Sequence, residues 1–192
     1  MLDAKGTHGE FYSRLREAEP NPGHYALAEL EKLGRLESVL TQNVDGLHHK
    51  AGSKNVIAYH GDIHRLRCFT CGARFGLEEV SLEKLPPHCG CGGVLKYDVV
   101  HFKESIPTDV QEDAEREAWE CDLMLICGTS AVVYPFANLP RIVRMRSGPR
   151  AVVIEVNAEP TPLTYDGISD YLLQGKTGEI LPEIVNRVKS IS

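Results

Sequence analysis

Thr41 to Gly61 reads TQNVDGLHHKAGSKNVIAYHG, and the fold hinges on how that stretch is parsed. Leu36, Val39 and Leu40 lead into it, while Val56, Ile57 and Ala58 lead on to His60. Two short apolar runs around a polar turn predict strand, turn, short helix and second strand. Gln42, Asn43 and Asp45 then fall at the C-terminal end of a strand, where open α/β sheets bind ligands. Asn43 and Asp45 can hydrogen-bond sugar hydroxyls, and His60 can take a proton near neutral pH. The competing reading is an Asn-Val-Asp-Gly turn that caps a helix, with histidines on the surface. The stretch alone does not choose between them.

On the N-terminal side, residues 1–20 are polar, with a weak helical signal over Phe11–Ala18. Asn21-Pro22 opens a clearer helix, with Asn21 as cap and Pro22 at the first helical position. Leu27, Leu30 and Leu33 recur every three residues, and Gly34 ends the run. His24 reads as a solvated or core-edge histidine on that helix, not a ligand. His48 and His49 follow on the next short helix and receive no catalytic role.

On the C-terminal side come Cys68, Cys71, Cys89 and Cys91, spaced C-x2-C, 17 residues, C-x-C. Paired thiolates on two glycine-containing turns can enclose a tetrahedral zinc ion, and four sulfur ligands leave no open position. The metal is therefore expected to be structural, one per chain. His88 and Cys91 share the alternative x2 spacing, so one ligand stays open at this level. Residues 61–104 are expected to form a zinc-binding insert. It ends in KYDVVHFKESIP, where Asp98 to Phe102 alternates like a strand with one exposed edge.

Beyond it, Thr108–Glu120 reads as a charged, solvated helix, and Asp122–Cys127 as a strand buried on both faces. Gly128, Thr129 and Ser130 follow, small residues that let a ligand approach backbone amides. A helix is expected from Pro135 to about Arg146, with Leu139, Ile142, Val143 and Met145 on its apolar side. Arg141, Arg144, Arg146 and Arg150 read as a solvated basic face, and Cys121 and Cys127 as buried thiols. Ala151–Val156 is another buried-type strand, ending at Asn157, Ala158 and Glu159, and the GEILPEIVNRV helix closes the chain. If the three strands lie parallel, their polar tips meet at one edge, as nucleotide sites do in doubly wound sheets.

The bulk numbers bound the function. A length of 192 residues suits one sizeable core with a small insert, and 42% hydrophobic with 25% charged residues is ordinary for a globular chain. A formal charge of −6 argues against a nucleic-acid footprint across the domain. No run approaches the ~18 apolar residues of a membrane span, and the first thirty residues lack a signal-peptide core. Six cysteines without such a signal suggest metal binding or buried thiols more than disulfides, and a cytoplasmic location.

TQNVDGLHHKAG, followed by YHG and then the C-x2-C pair, closely resembles the sirtuins, the NAD-dependent protein lysine deacylases. CGTSAVVYP, VNAEPTP and GEILP extend the likeness over nearly the whole chain. The resemblance implies an α/β fold: a Rossmann-like parallel sheet from residues 1–60 and 105–192, carrying the small zinc insert. It implies acyl transfer from acyl-lysine of a protein substrate to the ADP-ribose part of NAD, with release of nicotinamide and no side-chain nucleophile. His60 would be the general base, with Gln42, Asn43, Val44 and Asp45 around the nicotinamide ribose. Gly128, Thr129, Ser130, Asn157, Ala158 and Glu159 would hold the other ribose and adenine, with Thr177 at the adenine edge, where the family commonly has alanine. Val99, Val100, His101 and Phe102 would pair with the substrate peptide by strand addition. His48 occupies a position usual and structural in the family.

Two departures stand out. The family usually has Phe-Gly-Glu where this chain has Phe102-Lys103-Glu104, which is expected to crowd the peptide or alter its preference. Members also open with a strand and a Gly-Ala-Gly-Ile-Ser-type loop, whereas only about twenty unmatched residues precede PNPGH here. With no other glycine-rich turn, the pyrophosphate cradle has no source in these residues. Three explanations stay open: a misplaced gene start, a fragment, or a loss of part of the cofactor site. The expectation is weak NAD binding by these 192 residues and an exposed central sheet edge. The alternative function is a non-catalytic module that recognises acyl-lysine or a partner protein. Tyr12, Arg14 and Arg16 miss the three-residue Tyr/Arg spacing of members that prefer acidic acyl groups, so that activity is not expected.

Overall fold

The computed structural model describes residues 14–146 and 150–191. Of the weak helical signal near the start, residues 14–17 are helical and the rest of its first half, with Tyr12, lies outside the described residues. Helix α1 spans Pro22–Lys32. The Asn21 side chain accepts from the Gly23 and His24 amides, and His24 Nδ1 accepts from the Asn21 amide at 3.2 Å. That reciprocal cap satisfies donors a helix start otherwise leaves orphaned. Ala26 and Leu30 are buried, whereas Leu33 is exposed at the C-terminal cap.

Strand β1 (Val39–Thr41), helix α2 (Leu47–Lys50) and strand β2 (Val56–Ala58) follow, as the pattern predicts, and β1 pairs parallel with β2. Three antiparallel strands come next in spatial order β4-β3-β5: β3 is Gly61–Cys68, β4 Arg74–Gly76 and β5 Leu95–Val99. Arg74 ties this sheet to the rest, donating to Asp98 on β5 at 3.0 Å and to Asp109 on helix α3 (Thr108–Glu120) at 2.7 Å. Strands β6 (Leu123–Cys127), β7 (Val152–Asn157) and β8 (Tyr171–Gln174) form a second parallel sheet in that order. Helix α4 (Leu139–Met145) precedes β7, the short helix α5 (Pro162–Tyr165) follows it, and α6 (Thr177–Ile191) ends the fold.

Helices cover both faces. Ala26 and Leu30 of α1 pack with Leu181 and Val185 of α6 against Val156 on one side of β7. On the other side Ala114 and Ala118 of α3 and Leu139 and Val143 of α4 pack with Val153 and Leu163. Fully burying one such side chain contributes about 1.5–3 kcal/mol, so this layering orients the strand ends.

Three sequence expectations need correction. Strand β6 is not buried on both faces: Leu123 is exposed and Leu125 half-buried, and among the described residues β6 pairs with β7 alone. Met145 does not join the apolar side of α4 but is exposed at its end. The arginine cluster is only partly a solvated face: Arg150 is exposed, whereas Arg141, Arg144 and Arg146 are half-buried. Arg144 donates to the Ala151 and Ile168 carbonyls and pairs with Asp170. Arg141 pairs with Asp166, Arg150 with Asp170, and Arg146 donates to the Cys121 carbonyl. Arg141 and Arg144 thus join α4 to the segment before β8, Arg146 reaches the end of α3, and Arg150 keeps an exposed pair ahead of β7.

Candidate active site

The polar tips converge. The Gln42 side-chain amide reaches Thr129 Oγ1 at 3.4 Å, and the Asn157 amide donates to the Thr129 carbonyl at 2.6 Å. Thr129 thus joins the ends of β1, β6 and β7, although β1 and β6 share no ladder. The loop behind it is tightly wound: Gly128 has φ 59° and Ala131 φ 54°, and the Ala131 amide donates to Thr129 Oγ1 at 3.2 Å. A left-handed non-glycine residue costs roughly 1–2 kcal/mol, and sequence inspection gave no signal for Ala131. Thr177, first residue of α6, brings its hydroxyl to within 3.4 Å of where a Cβ on Gly128 would lie. Ser130, Ala158 and Glu159 are exposed around this junction, and the Gln174 amide holds the Ala158 carbonyl at 3.0 Å.

His60 closes the other end. Its Nδ1 lies 3.2 Å from the Gln42 carbonyl oxygen. A carbonyl can only accept, so Nδ1 carries the hydrogen and Nε2 keeps its lone pair free for a proton. The ring stands edge-on to Tyr59, which is 1% exposed and itself packed edge-on against Phe136. Val100 donates its amide to the His60 carbonyl at 2.9 Å, so the zinc-bearing sheet and the histidine are registered to each other.

Asn43 is exposed and its amide is held in place at the backbone by Thr41 Oγ1. Asp45 spends Oδ1 on the Leu47 amide at 3.0 Å, and Val44 accepts from the Ile63 amide. An amide, a carboxylate and a hydroxyl around a glycine turn form a donor–acceptor set that fits sugar hydroxyls. The His24 and His48 rings pack at a tilt of 56°, 4.8 Å between centroids, beside this tip. Burial, with His24 adding to it, pushes His48 down to about 4, so it stays neutral and structural.

The four cysteine sulfurs lie within 4.8 Å of one another, with Cys68–Cys91 at 3.6 Å and Cys71–Cys89 at 3.7 Å. Zn–S bonds of ~2.3 Å in a tetrahedron place sulfurs ~3.8 Å apart, so the set fits one structural zinc. The Cys71 and Thr70 amides directed at its sulfur pull the Cys68 thiol down to about 6, which suits a thiolate ligand. His88 is not in the group; it is exposed and bridges Val94 through its backbone. Cys121 and Cys127 stand apart, and burial pushes Cys127 up to about 12.

The strand expected over Asp98–Phe102 is shifted: β5 ends at Val99, and His101 to Glu104 form a turn. The cause is Lys103, at φ 74°, together with Glu104, which pairs with Lys96 and accepts from the His101 amide. Phe102 is left 95% exposed. β5 is an edge strand, paired on one side with β3.

Comparison with known proteins agrees with this arrangement. The model of the Sir2 family matches residues 7–135. The NAD-dependent protein deacylase of Pyrococcus furiosus is 45% identical over 95% of this chain and 75% of its own length. The NAD-dependent protein deacetylase of Saccharolobus solfataricus is 41% identical over 97% and 76%. Among solved structures, a Sir2 homologue in complex with NAD superposes with a TM-score of 0.80 at 44% identity, covering 95% of this chain and 71% of that one. A Sir2 protein bound to acetylated peptide gives 0.78 at 32% identity, over 96% and 78%.

Proposed function

The chain belongs to the Sir2 family, and from that premise we propose that it is an NAD-dependent protein lysine deacylase. The observation that carries the proposal is the His60–Gln42 hydrogen bond, which leaves Nε2 as a free base where the strand tips meet. NAD, when bound, would supply the ADP-ribosyl group that accepts the acyl group from lysine. Gln42, Asn43, Val44 and Asp45 would hold the nicotinamide ribose. Gly128, Thr129, Ser130, Asn157, Ala158, Glu159 and Thr177 would hold the second ribose and adenine. His60 Nε2 would be the group able to take a proton from a ribose hydroxyl, and Nδ1–H on the Gln42 carbonyl would keep the ring oriented. Tyr59, itself backed by Phe136, covers one side of that ring.

The zinc module is assigned to residues 61–104, with 1–60 and 105–192 forming the nucleotide-binding unit. The free edge of β5 at Val99 and the following Val100, His101 and Phe102 would take the acyl-lysine peptide by strand addition. No helix among the described residues is long and apolar enough to cross a membrane. The zinc thiols suit a reducing compartment, and we place the protein in the cytoplasm.

Nicotinamide release in the presence of an acetylated peptide and NAD tests the assignment. His60→Ala should abolish release while zinc content and circular dichroism stay unchanged. Near-normal turnover by the variant removes His60 from the mechanism. Peptide binding without nicotinamide release by the unaltered protein would instead mark a binding module.

A further inference from the structure

Strand β7 carries a carboxyl side chain in its interior. Glu155 is 0% exposed, in a run that otherwise reads Val152, Val153, Ile154 and Val156. Three hydroxyls donate to its carboxylate: Thr161 Oγ1 at 2.5 Å on Oε2, Thr164 Oγ1 at 2.6 Å and Ser169 Oγ at 2.5 Å, both on Oε1. Two of these hydroxyls also accept backbone amides. Thr161 Oγ1 takes the Leu163 amide at 3.1 Å as the cap of α5, and Thr164 Oγ1 takes the Thr161 amide at 3.3 Å. Each hydroxyl therefore spends its single hydrogen on Glu155, and an ionised carboxylate, with acceptor sites alone, matches that set.

The contacts lie at the start, middle and end of one segment. Asn157 leaves β7, the chain returns through Thr161 and α5, and Ser169 stands just before β8. Glu155 and Asn157 are two apart on the strand and face the same side. Asn157 is there bonded to the Thr129 carbonyl. An apolar residue at 155 would fill the space without imposing a direction, whereas hydrogen bonds hold the loop in one pose.

We infer that Glu155 is a positioning residue for the nucleotide site: through Thr161, Thr164 and Ser169 it pins the segment that follows β7, and with it Asn157 at the strand's end, Ala158 and Glu159. This rests on reading those three residues as ribose and adenine contacts.

The test is a chemical-shift titration of the full chain with ADP-ribose, which reads millimolar dissociation constants. It is run at a temperature where circular dichroism shows every variant folded. Glu155→Gln and Thr161→Val should each weaken binding about tenfold, the consequence of a mispaired buried polar group. Thr161→Ser, which restores the hydroxyl, should bind as the unaltered chain does, and zinc content should stay constant throughout. Should Glu155→Gln not fold, Thr164→Val keeps the side-chain volume, removes one donor and should weaken binding about threefold. Equal affinity in the folded variants, with lowered melting temperatures alone, would overturn the inference and leave the proposed function standing. If the unaltered chain shows no shifts at Asn157 to Glu159, the assignment of those residues to the nucleotide fails, and the inference falls with it.

Discussion

Gly61→Ala should be among the most damaging single-methyl changes available to this protein. Gly61 follows His60 directly, begins β3 and has φ 89°. A Cβ built there would lie 1.7 Å from the Asp98 carbonyl oxygen, 2.7 Å from its carbon and 3.1 Å from Val99 Cα. All three atoms are backbone, so no side chain can swing aside. Strand β5 would have to retreat by more than about 1 Å to reach the 3.0 Å that real Cβ contacts respect. The pairs Gly61↔Val99 and Asp62↔Asp98 would open. Two ladder bonds at ~1 kcal/mol each, added to the ~1–2 kcal/mol of a left-handed alanine, give a loss of about 3–4 kcal/mol. Gly34→Ala is the internal control. Gly34 also has positive φ, 65°, but a Cβ there meets nothing within 4 Å, so it should cost the conformational part alone, about 1–2 kcal/mol. Urea denaturation of both variants at fixed zinc separates strain from collision. Equal midpoints for the two would refute the argument.

Metal analysis should give one zinc per chain, lost in Cys68→Ser together with the fold of the 61–104 module; structural zinc contributes ~10–16 kcal/mol of apparent binding in small domains. A folded protein without metal would contradict this. Because burial holds His48 near 4, below its ordinary 6.5, its contribution to stability is complete above 6.5 and is lost as pH falls from there through about 4. His48→Asn should flatten that part of the stability–pH curve, and an unchanged slope would exclude His48 as its source. Lys103→Gly should raise stability by roughly 1 kcal/mol by relieving a left-handed lysine, and should lower KM for an acetylated peptide if the side chain crowds the β5 edge. Unchanged midpoint and KM together would show that Lys103 is accommodated without cost.

The letters of the chain carried the local structure. Asn21-Pro22 marked the start of α1 because a capping side chain and a fixed φ act within a few residues. Short apolar runs marked β1, β2 and β7 for the same reason. The thiol spacing identified the metal site, since a tetrahedral S4 site leaves little freedom in how two short turns supply its ligands. The resemblance around TQNVDGLHHKAG supplied roles for Gln42, Asn43, Asp45 and His60, which geometry alone at this level left open.

Other properties depended on residues far apart in sequence. That Thr129 joins three strand ends follows from how helices on both faces stack the strands. The tautomer of His60 depends on a carbonyl 18 residues away. The arginines of α4 looked solvent-facing because their acceptors, such as Asp166, Ile168 and Asp170, lie beyond β7. Glu155 was not singled out within the buried-type strand, because its three hydroxyl partners are supplied by a loop that folds back over it. Periodicity and capping are short-range and so are written in neighbouring residues. A buried carboxyl group, a proton's position and a converging edge are settled by which distant groups packing brings within hydrogen-bond reach.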